Sequence, residues 1–361
     1  MSLSLMKILI VGYGSIGKRH VKNLLKLSNI EILICSKQNI KQNSKFKILH
    51  SLDQCIKEKP NAAIIANVSS QHISIALKLA NAGIHLFVEK PLSNSLLGIK
   101  KLETLVKKKK LITQMGCNLR FHECLQKIKQ MLSNNEIGRV ISANIECGSY
   151  LPDWHPYEDY RKSYASNKNL GGGVVFTCIH EIDYLYWFFG NAKEIFSITG
   201  KYSDLDISVD DLSVNLLKFS PNIVVQLHLN YFQKPEFRCC KIIGTNGIIY
   251  WDSKSNTVKK FSNKNKSWKN EIKIKNYNRN NMYEQELMHF INCIEKQIQS
   301  IKNKQKNELM EAIKTLDKIG IRKKTLDEYL KINIYVLSVL FMLFLLYLYY
   351  TNKVSIIFDF V

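Results

Sequence analysis

The chain contains 361 residues, of which 46% are hydrophobic and 23% are charged. A single hydrophobic core rarely serves a chain of this length, so we predict two domains and an appendage. With only six prolines and sixteen glycines, the composition excludes long disordered stretches. The formal net charge of +22 invites a nucleic-acid interpretation, but the lysines are scattered along the chain. The one dense run, Lys107 to Lys110, is typical of the solvated end of a helix, and we predict no nucleic-acid partner.

Cysteine usage and the N-terminus indicate a cytoplasmic location. The nine cysteines form no Cys-x-x-Cys pair and no extracellular spacing pattern, which predicts reduced thiols. The first residues run into an apolar strand pattern without a cleavage site, so we predict no secretory signal peptide.

The first hundred residues alternate between strand and helix patterns. We predict one helix from the first glycine turn to about Leu27, another from Ile73 to Ala82, and strands at Lys7 to Val11, Ile30 to Cys35, Ala62 to Ala66 and Leu86 to Val88. Strands joined by helices in this way form a parallel sheet with helices on both faces. The sequence therefore predicts a doubly wound α/β domain over residues 1–122.

A glycine-rich turn follows the first strand and opens the first helix. Its six residues match G-x-G-x-x-G: Gly12, Tyr13, Gly14, Ser15, Ile16 and Gly17. In this motif the first glycine permits the tight turn, the second lets the backbone approach a pyrophosphate, and the third allows close helix packing. The helix N-terminus then offers free N–H groups to the anion. We therefore predict a dinucleotide-binding Rossmann domain.

The end of the second strand bears on the choice between NAD and NADP. NAD-preferring sites carry an acidic residue about twenty positions after the glycine turn, where it binds the ribose 2′-hydroxyl. Here that place reads Cys35-Ser36-Lys37, and Glu31 lies at the wrong end of the strand. Ser36 can hydrogen-bond a 2′-phosphate and Lys37 can neutralise it, so we predict NADP over NAD. The alternative is that Lys37 only points into solvent.

After Gly116 the pattern changes to a helix, Glu123 to Leu132, followed by strands of alternating polarity such as Val140 to Glu146 and Val209 to Phe219. Such strands favour an antiparallel sheet. A short hairpin is predicted at Gly244 to Gly247, with Asn-Gly supplying positive φ. Amphipathic helices are predicted at Met282 to Ile298 and Leu309 to Ile319. We predict an α+β domain with an open, mainly antiparallel sheet over residues 123–331.

The tail, residues 332–361, contains a long uncharged segment from Ile332 to Asn352. As a helix it could cross a hydrocarbon core of roughly 30 Å, and the basic residues before it fit a cytoplasmic enzyme held by a C-terminal membrane anchor. A buried terminal helix, or a tail appended by frameshift or read-through, explains the same pattern.

Three further segments accompany the glycine turn: Glu89-Lys90-Pro91, the run Tyr157 to Arg161, and Gly171-Gly172-Gly173 followed by His180-Glu181-Ile182-Asp183. With this ordered set the chain resembles the glucose-fructose oxidoreductase, inositol dehydrogenase and rhizopine-catabolism family (Gfo/Idh/MocA), from about Lys7 to Lys331. The resemblance implies nicotinamide-dependent oxidation or reduction of sugars, cyclitols or nucleotide sugars, with surface-glycan biosynthesis as one candidate pathway. It also implies a homo-oligomer formed through the open sheet.

By this resemblance Lys90 contacts the reacting hydroxyl. An ammonium stabilises a developing alkoxide, and a desolvated lysine could also relay a proton. His180 is the candidate acid/base, because imidazole exchanges protons near neutral pH and this one follows the triple glycine and starts the apolar helix Ile182 to Phe189. The segment from His180 to Tyr184 is similar to the zinc motif H-E-x-x-H, but Tyr184 stands where the second histidine ligand would be, so we predict no metal. A surface lysine and a structural histidine are the alternatives.

Many family members carry an Asp a few residues before this histidine, where the present chain has Thr177. Either His180 works with Lys90 alone, or Asp183 or another acid compensates, or the activity is altered. The predicted substrate-side residues are Asn118, Arg120, Trp154, Arg161, Tyr164, Thr177 and Asp183, with Arg161 suited to bidentate binding of an anion. Beyond the glycine turn, Ser36 and Lys37, the predicted cofactor-side residues are Asn67, Ser69, His72, Glu89 and Lys90, although His72 fits a structural role equally well.

We therefore predict an NAD(P)-dependent dehydrogenase or reductase. A non-catalytic dinucleotide-binding regulator of the same fold is the main alternative, because Thr177 stands where many family members have a catalytic Asp. A membrane-tethered scaffold is a third.

Overall fold

The computed structural model describes residues 5–40 and 44–295. Its first sheet has six parallel strands in the order β3-β2-β1-β4-β5-β6. The strands are β1 Met6–Val11, β2 Ile30–Cys35, β3 Lys47–Leu49, β4 Ala62–Ile65, β5 His85–Glu89 and β6 Thr113–Gly116, and the intervening helices are α1 Ser15–Leu24, α2 Leu52–Lys57, α3 His72–Asn81 and α4 Ile99–Lys108. This is the predicted doubly wound sheet, and Lys107 does lie in the last turn of a helix.

The central strand β1 shows why the predicted strands form. Ile8, Leu9 and Ile10 have no exposed surface, as expected for a strand of a parallel sheet that is covered on both faces. Leu9 packs with residues of α3 and α4, while Ile8 and Ile10 pack with the α1 side of the sheet. The alternation follows from the two-residue period of a strand.

The last described helix, α8 Asn280–Glu295, returns to the first sheet. Leu287, Phe290 and Ile291 join the core that contains Ile8, and the rings of Phe290 and Phe87 lie 5.6 Å apart. A segment that follows the second sheet in the chain therefore completes one face of the first.

The second sheet has eight strands in the order β14-β13-β12-β11-β7-β10-β9-β8. They are β7 Val140–Gly148, β8 Ala192–Gly200, β9 Leu212–Phe219, β10 Ile223–Asn230, β11 Phe237–Gly244, β12 Gly247–Asp252, β13 Thr257–Ser262 and β14 Ser267–Lys273. Neighbours pair antiparallel except β7 with β10, which is parallel. Helices α5 Glu123–Ser133, α6 Val174–Thr177 and α7 Ile179–Phe189 contribute buried side chains to the core of this sheet. The predicted open, mainly antiparallel sheet is confirmed.

The hairpin between β11 and β12 lies where predicted, but the predicted positive φ was wrong. Gly244 pairs directly with Gly247, and neither Asn246 nor Gly247 is among the residues with positive φ. The glycines are needed for close approach instead: a Cβ on Gly244 would stand 2.2 Å from the Ile137 carbonyl oxygen, and one on Gly247 2.2 Å from that of Phe261. Close packing against neighbouring chain segments therefore accounts for glycine at positions 244 and 247.

The predicted helix at Leu309 to Ile319 and the uncharged segment at Ile332 to Asn352 lie outside the described residues. Within residues 5–40 and 44–295, no helix combines the length and apolar character needed to cross a bilayer. The C-terminal anchor stays a prediction.

Candidate active site

The glycine turn after β1 has the shape that an anion-binding loop requires. Gly12 has φ +97°, and a Cβ there would stand 2.8 Å from the Asn67 Cα. A Cβ on Gly17 would stand 2.2 Å from the Gly12 carbonyl oxygen, whereas one on Gly14 would meet nothing within 4 Å. No side chain caps the N-terminus of α1, so its first N–H groups stay available. The loop therefore fits the diphosphate of a dinucleotide.

The other residues of the turn differ in exposure. Ser15 is exposed beside the helix N-terminus, and the Tyr13 ring lies 6.2 Å from that of Phe46. Ile16 is partly buried and packs against the core of the first sheet.

At the end of β2 the predicted pair is in place. Ser36 is buried, and its Oγ accepts a hydrogen bond from the Gln38 N–H at 3.1 Å, while Lys37 is exposed. Glu31 lies at the opposite end of the strand and contacts Lys7 at 3.2 Å.

Ser69 and His72 use their side chains within the protein. Ser69 Oγ lies 3.1 Å from the carbonyl oxygens of both Leu170 and Gly171. His72 is buried, with its ring nitrogens 2.8 Å from the Pro91 carbonyl oxygen and 3.0 Å from that of Asn67. Both side chains thus connect loops of the protein, and their contacts with a cofactor stay predictions.

Asn67 and Glu89 are also engaged in the protein. Asn67 Nδ2 donates to Gln71 Oε1 at 3.0 Å. Glu89 is buried at the end of β5 and accepts from His20 Nε2 at 2.6 Å. His20, which the sequence analysis missed, links α1 to the residue next to Lys90.

Lys90 is fixed by a hydrogen bond from its Nζ to the Thr177 carbonyl oxygen at 2.9 Å. Burial opposes its charged form, but Tyr164, Cys178, Glu89 and Tyr283 outweigh that effect and raise its pKa. Lys90 therefore stays protonated at neutral pH. It can stabilise an alkoxide, but the predicted relay through a neutral amine is disfavoured.

His180 occupies the first turn of α7 and is 9% exposed. Its Nδ1 is buried and has no partner among the described residues. Burial lowers the pKa of the imidazole well below its usual value, and the charges of Lys90, Arg238 and Arg279 add to this effect. His180 is therefore a neutral imidazole at neutral pH.

Neither Thr177, at the position of the family Asp, nor Asp183 offers an unpaired carboxylate here. Thr177 presents its carbonyl to Lys90, and its Oγ1 is buried. Asp183 is buried and accepts from Arg120 through both oxygens, each at 2.8 Å. Arg120 and Asp183 form a structural fork, so Asp183 is not available as a compensating acid.

The remaining substrate-side residues also have defined contacts. Asn118 is buried with Nδ2 4.0 Å from Met282 Sδ, and Trp154 Nε1 donates to Ser149 Oγ at 2.8 Å. Arg161 binds Asp159 bidentately, at 2.8 and 2.9 Å, and its role as the fork for a substrate anion stays a prediction. Tyr164 is 37% exposed.

Residues from distant parts of the chain also affect the pKa values of Lys90 and His180. Tyr283 of α8 packs under Arg19, whose guanidinium carbon lies 4.4 Å from the ring centre. Arg238 of β11 contacts Glu181 at 2.8 Å, and burial raises the pKa of Glu181 to about 8 despite this charge. No local motif marks these residues, because only long-range packing brings them together.

Comparisons with known proteins agree with this architecture. Residues 6–117 match the oxidoreductase family with an NAD-binding Rossmann fold, and residues 125–250 match the GFO/IDH/MocA C-terminal domain. Myo-inositol 2-dehydrogenase of Thermotoga maritima is 26% identical over 56% of this chain and 64% of its own length. Levoglucosan dehydrogenase of Pseudarthrobacter phenanthrenivorans is 27% identical over 52% and 54%. The chain thus spans less than two thirds of either relative.

Solved structures share the fold. Levoglucosan dehydrogenase in complex with NADH superposes with a TM-score of 0.72 at 16% identity, covering 80% of this chain and 89% of that one. The WlbA dehydrogenase from Bordetella pertussis, in complex with NADH and UDP-GlcNAcA, gives 0.70 at 16% identity, covering 88% and 95%. Together with the two matched domains, this shows that the chain belongs to the Gfo/Idh/MocA family of oxidoreductases.

Proposed function

We propose that this protein is an NADP-preferring dehydrogenase or reductase acting on a CH–OH group of a sugar, cyclitol or nucleotide sugar. The observation that carries the proposal is the position of Lys90, directly after β5. Its ammonium is fixed at 2.9 Å from the Thr177 carbonyl oxygen, and its charge contributes to the lowered pKa of His180. Relatives of the matched family are named as dehydrogenases of inositol and levoglucosan. No finding favours the non-catalytic alternative.

The residues divide the work as follows. When bound, the nicotinamide supplies or accepts the hydride at its C4 position. Lys90 stays protonated, hydrogen-bonds the reacting oxygen and stabilises the negative charge that develops there. His180 stays neutral and orients the same oxygen through the ring nitrogen that is not buried.

The NADP preference rests on the end of β2. The segment from Cys35 to Ile40 holds no carboxylate that would repel a 2′-phosphate, and Ser36 and Lys37 stand at the expected position. NAD remains the competing cofactor.

Homo-oligomer formation is supported by one face of the second sheet. Four large apolar side chains on adjacent strands are about half exposed or more: Phe196 65%, Ile198 47%, Leu216 50% and Val224 49%. Such contiguous patches mark interaction sites. Sedimentation of a Phe196→Asp variant should give a smaller species than the wild type.

The test is an NADPH fluorescence titration followed by a turnover screen with sugars, cyclitols and nucleotide sugars. Lys90→Ala should lower turnover by about 10²–10³-fold, the usual loss when one oxyanion donor is removed. Lys100→Ala, on the exposed side of α4, is the matched control. Unchanged turnover in Lys90→Ala would refute the proposed role.

A further inference from the structure

Sheet pairing stops just before Lys90, which is the first residue after β5. The pairing of β5 with β4 ends at Val88, and its pairing with β6 ends at Glu89. Lys90 is followed by Pro91 in an irregular segment that leads to α4. The position of the Lys90 ammonium therefore depends on what holds the chain after the strand.

Pro91 is contacted by His72. The Nδ1 of His72 lies 2.8 Å from the Pro91 carbonyl oxygen, and its Nε2 lies 3.0 Å from the Asn67 carbonyl oxygen. A carbonyl oxygen only accepts hydrogen bonds, and a neutral imidazole carries a single N–H, so a neutral ring donates to one of the two at a time. Burial lowers the pKa of His72, which favours the neutral ring at neutral pH. The nitrogen that carries the proton therefore decides which loop His72 holds.

The helix α3 gives His72 a rigid base. His72 is 1% exposed and is the first residue of this helix. Ile73, the next residue, belongs to the same buried cluster as Val88 before Lys90 and Leu92 after it. The helix that carries the imidazole is thus packed against both ends of the short segment that carries Lys90.

A hydrogen bond to Pro91 acts on Lys90 through few rotatable bonds. The pyrrolidine ring fixes φ of Pro91, and the peptide bond that precedes it is planar. Between the Lys90 Cα and the Pro91 carbonyl, only the ψ angles of the two residues stay free to rotate. A carbonyl held by His72 therefore restricts where Lys90 can place its ammonium, which lies 2.9 Å from the Thr177 carbonyl oxygen.

We propose that His72 is a positioning residue for Lys90: its Nδ1–H donates to the Pro91 carbonyl oxygen and thereby holds the Lys90 ammonium where it meets the reacting oxygen of the substrate. The proton lies on the nitrogen with the shorter of the two contacts, 2.8 Å against 3.0 Å. In this role His72 acts through Lys90 without touching the substrate. The inference rests on the proposed oxidoreductase function, in which Lys90 stabilises the developing alkoxide.

The first test uses two amide side chains that each keep one of the two bonds. In His72→Asn the amide nitrogen can take the place of Nδ1 and donate to Pro91, whereas in His72→Gln it can take the place of Nε2 and donate to Asn67. We expect kcat to fall about tenfold to 100-fold in His72→Gln, because a displacement of about 1 Å near the reacting atoms has an effect of this size. His72→Asn should recover kcat to within about threefold of the wild type. Lys78→Ala, at an exposed position of the same helix, is the control.

The comparison is made at a temperature at which circular dichroism shows both variants to be folded. The KM for NADPH should change less than about threefold in both, because the proposed bond acts on Lys90. Equal losses of kcat in the two variants would indicate a structural role alone, and a larger loss in His72→Asn would indicate a link through Asn67. Either result, or a loss of less than about threefold in His72→Gln, would overturn the proposal.

The second test uses the wild-type protein and needs no substrate. Neutron diffraction from crystals exchanged into heavy water at neutral pH should show a deuteron on Nδ1 of His72, directed at the Pro91 carbonyl oxygen. A ring deuterated only on Nε2 overturns the proposal, even where neither variant folds. A wild-type protein that turns over no sugar, cyclitol or nucleotide sugar refutes the proposed function instead, and the position of the deuteron still decides whether His72 holds Pro91.

Discussion

The glycine turn proposed for the cofactor and the residues proposed for the substrate are assembled by different kinds of contact. The turn is defined within six consecutive residues. Glycine is required at Gly12 and Gly17 because a Cβ there would stand only 2.8 and 2.2 Å, respectively, from neighbouring backbone atoms. The proposed substrate side instead depends on contacts between distant segments, such as Lys90 with the Thr177 carbonyl oxygen at 2.9 Å and Arg120 with Asp183 at 2.8 Å. A local motif can therefore specify the first region, whereas the second depends on the whole fold.

The largest effect on stability should come from the buried Arg120–Asp183 fork. Asp183→Asn leaves a largely buried guanidinium without its counter-charge, and the free energy of unfolding should fall by about 3–5 kcal/mol. The exposed fork between Arg161 and Asp159 has nearly the same geometry, yet Asp159→Asn should leave the free energy of unfolding almost unchanged, because solvent screens this pair. Urea unfolding measures both. Equal losses would show that burial does not distinguish the two pairs.

The glycines offer a second contrast. Gly17→Ala forces a methyl group toward the Gly12 carbonyl oxygen and should destabilise the fold by about 3 kcal/mol. Gly14→Ala faces open space, so its stability should change by less than about 0.5 kcal/mol. NADPH affinity should nevertheless fall about tenfold or more in Gly14→Ala, because the methyl group occupies the path of the diphosphate. Thermal unfolding and fluorescence titration separate these effects, and wild-type affinity in Gly14→Ala would contradict the assignment.

His122 makes the stability of the protein depend on pH. Burial lowers the pKa of its imidazole to about 4, so between pH 6.5 and 4 the unfolded chain binds a proton that the folded chain does not. The free energy of unfolding should therefore decrease as the pH falls through this window, by up to about 1.4 kcal/mol per pH unit from this group.

His122→Asn retains a side chain able to cap α5 and should flatten the pH slope, whereas His155→Gln on the surface should not. Denaturant unfolding at several pH values is the measurement. An unchanged slope in His122→Asn would remove this explanation.

The smallest effect concerns cofactor choice. Lys37→Asp places a carboxylate at the end of β2, and the ratio of kcat/KM for NADPH over NADH should fall about tenfold, or about 1.4 kcal/mol. Lys45→Asp, on the exposed surface beyond this strand, is the comparison variant. A ratio unaffected by Lys37→Asp would mean that Lys37 only points into solvent.

The same difference between local and long-range contacts explains what the sequence could predict. The strand β2 was predicted with its observed bounds, and the glycine turn was placed correctly, because hydrophobic runs and φ requirements are local properties. The sequence could not predict that Arg161 would be bound by Asp159, or that α8 would return Tyr283 to the first sheet. The hairpin glycines were located correctly but explained wrongly, since their requirement comes from Ile137 and Phe261.

We propose that the glycine turn holds the diphosphate and thereby directs the nicotinamide toward Lys90. A crystal structure of the wild-type protein soaked with NADPH tests it most directly. We expect diphosphate oxygens within hydrogen-bond distance of the backbone N–H groups at residues 14–17, with the nicotinamide C4 facing Lys90. A dinucleotide bound elsewhere, or a nicotinamide directed away from Lys90, would contradict it.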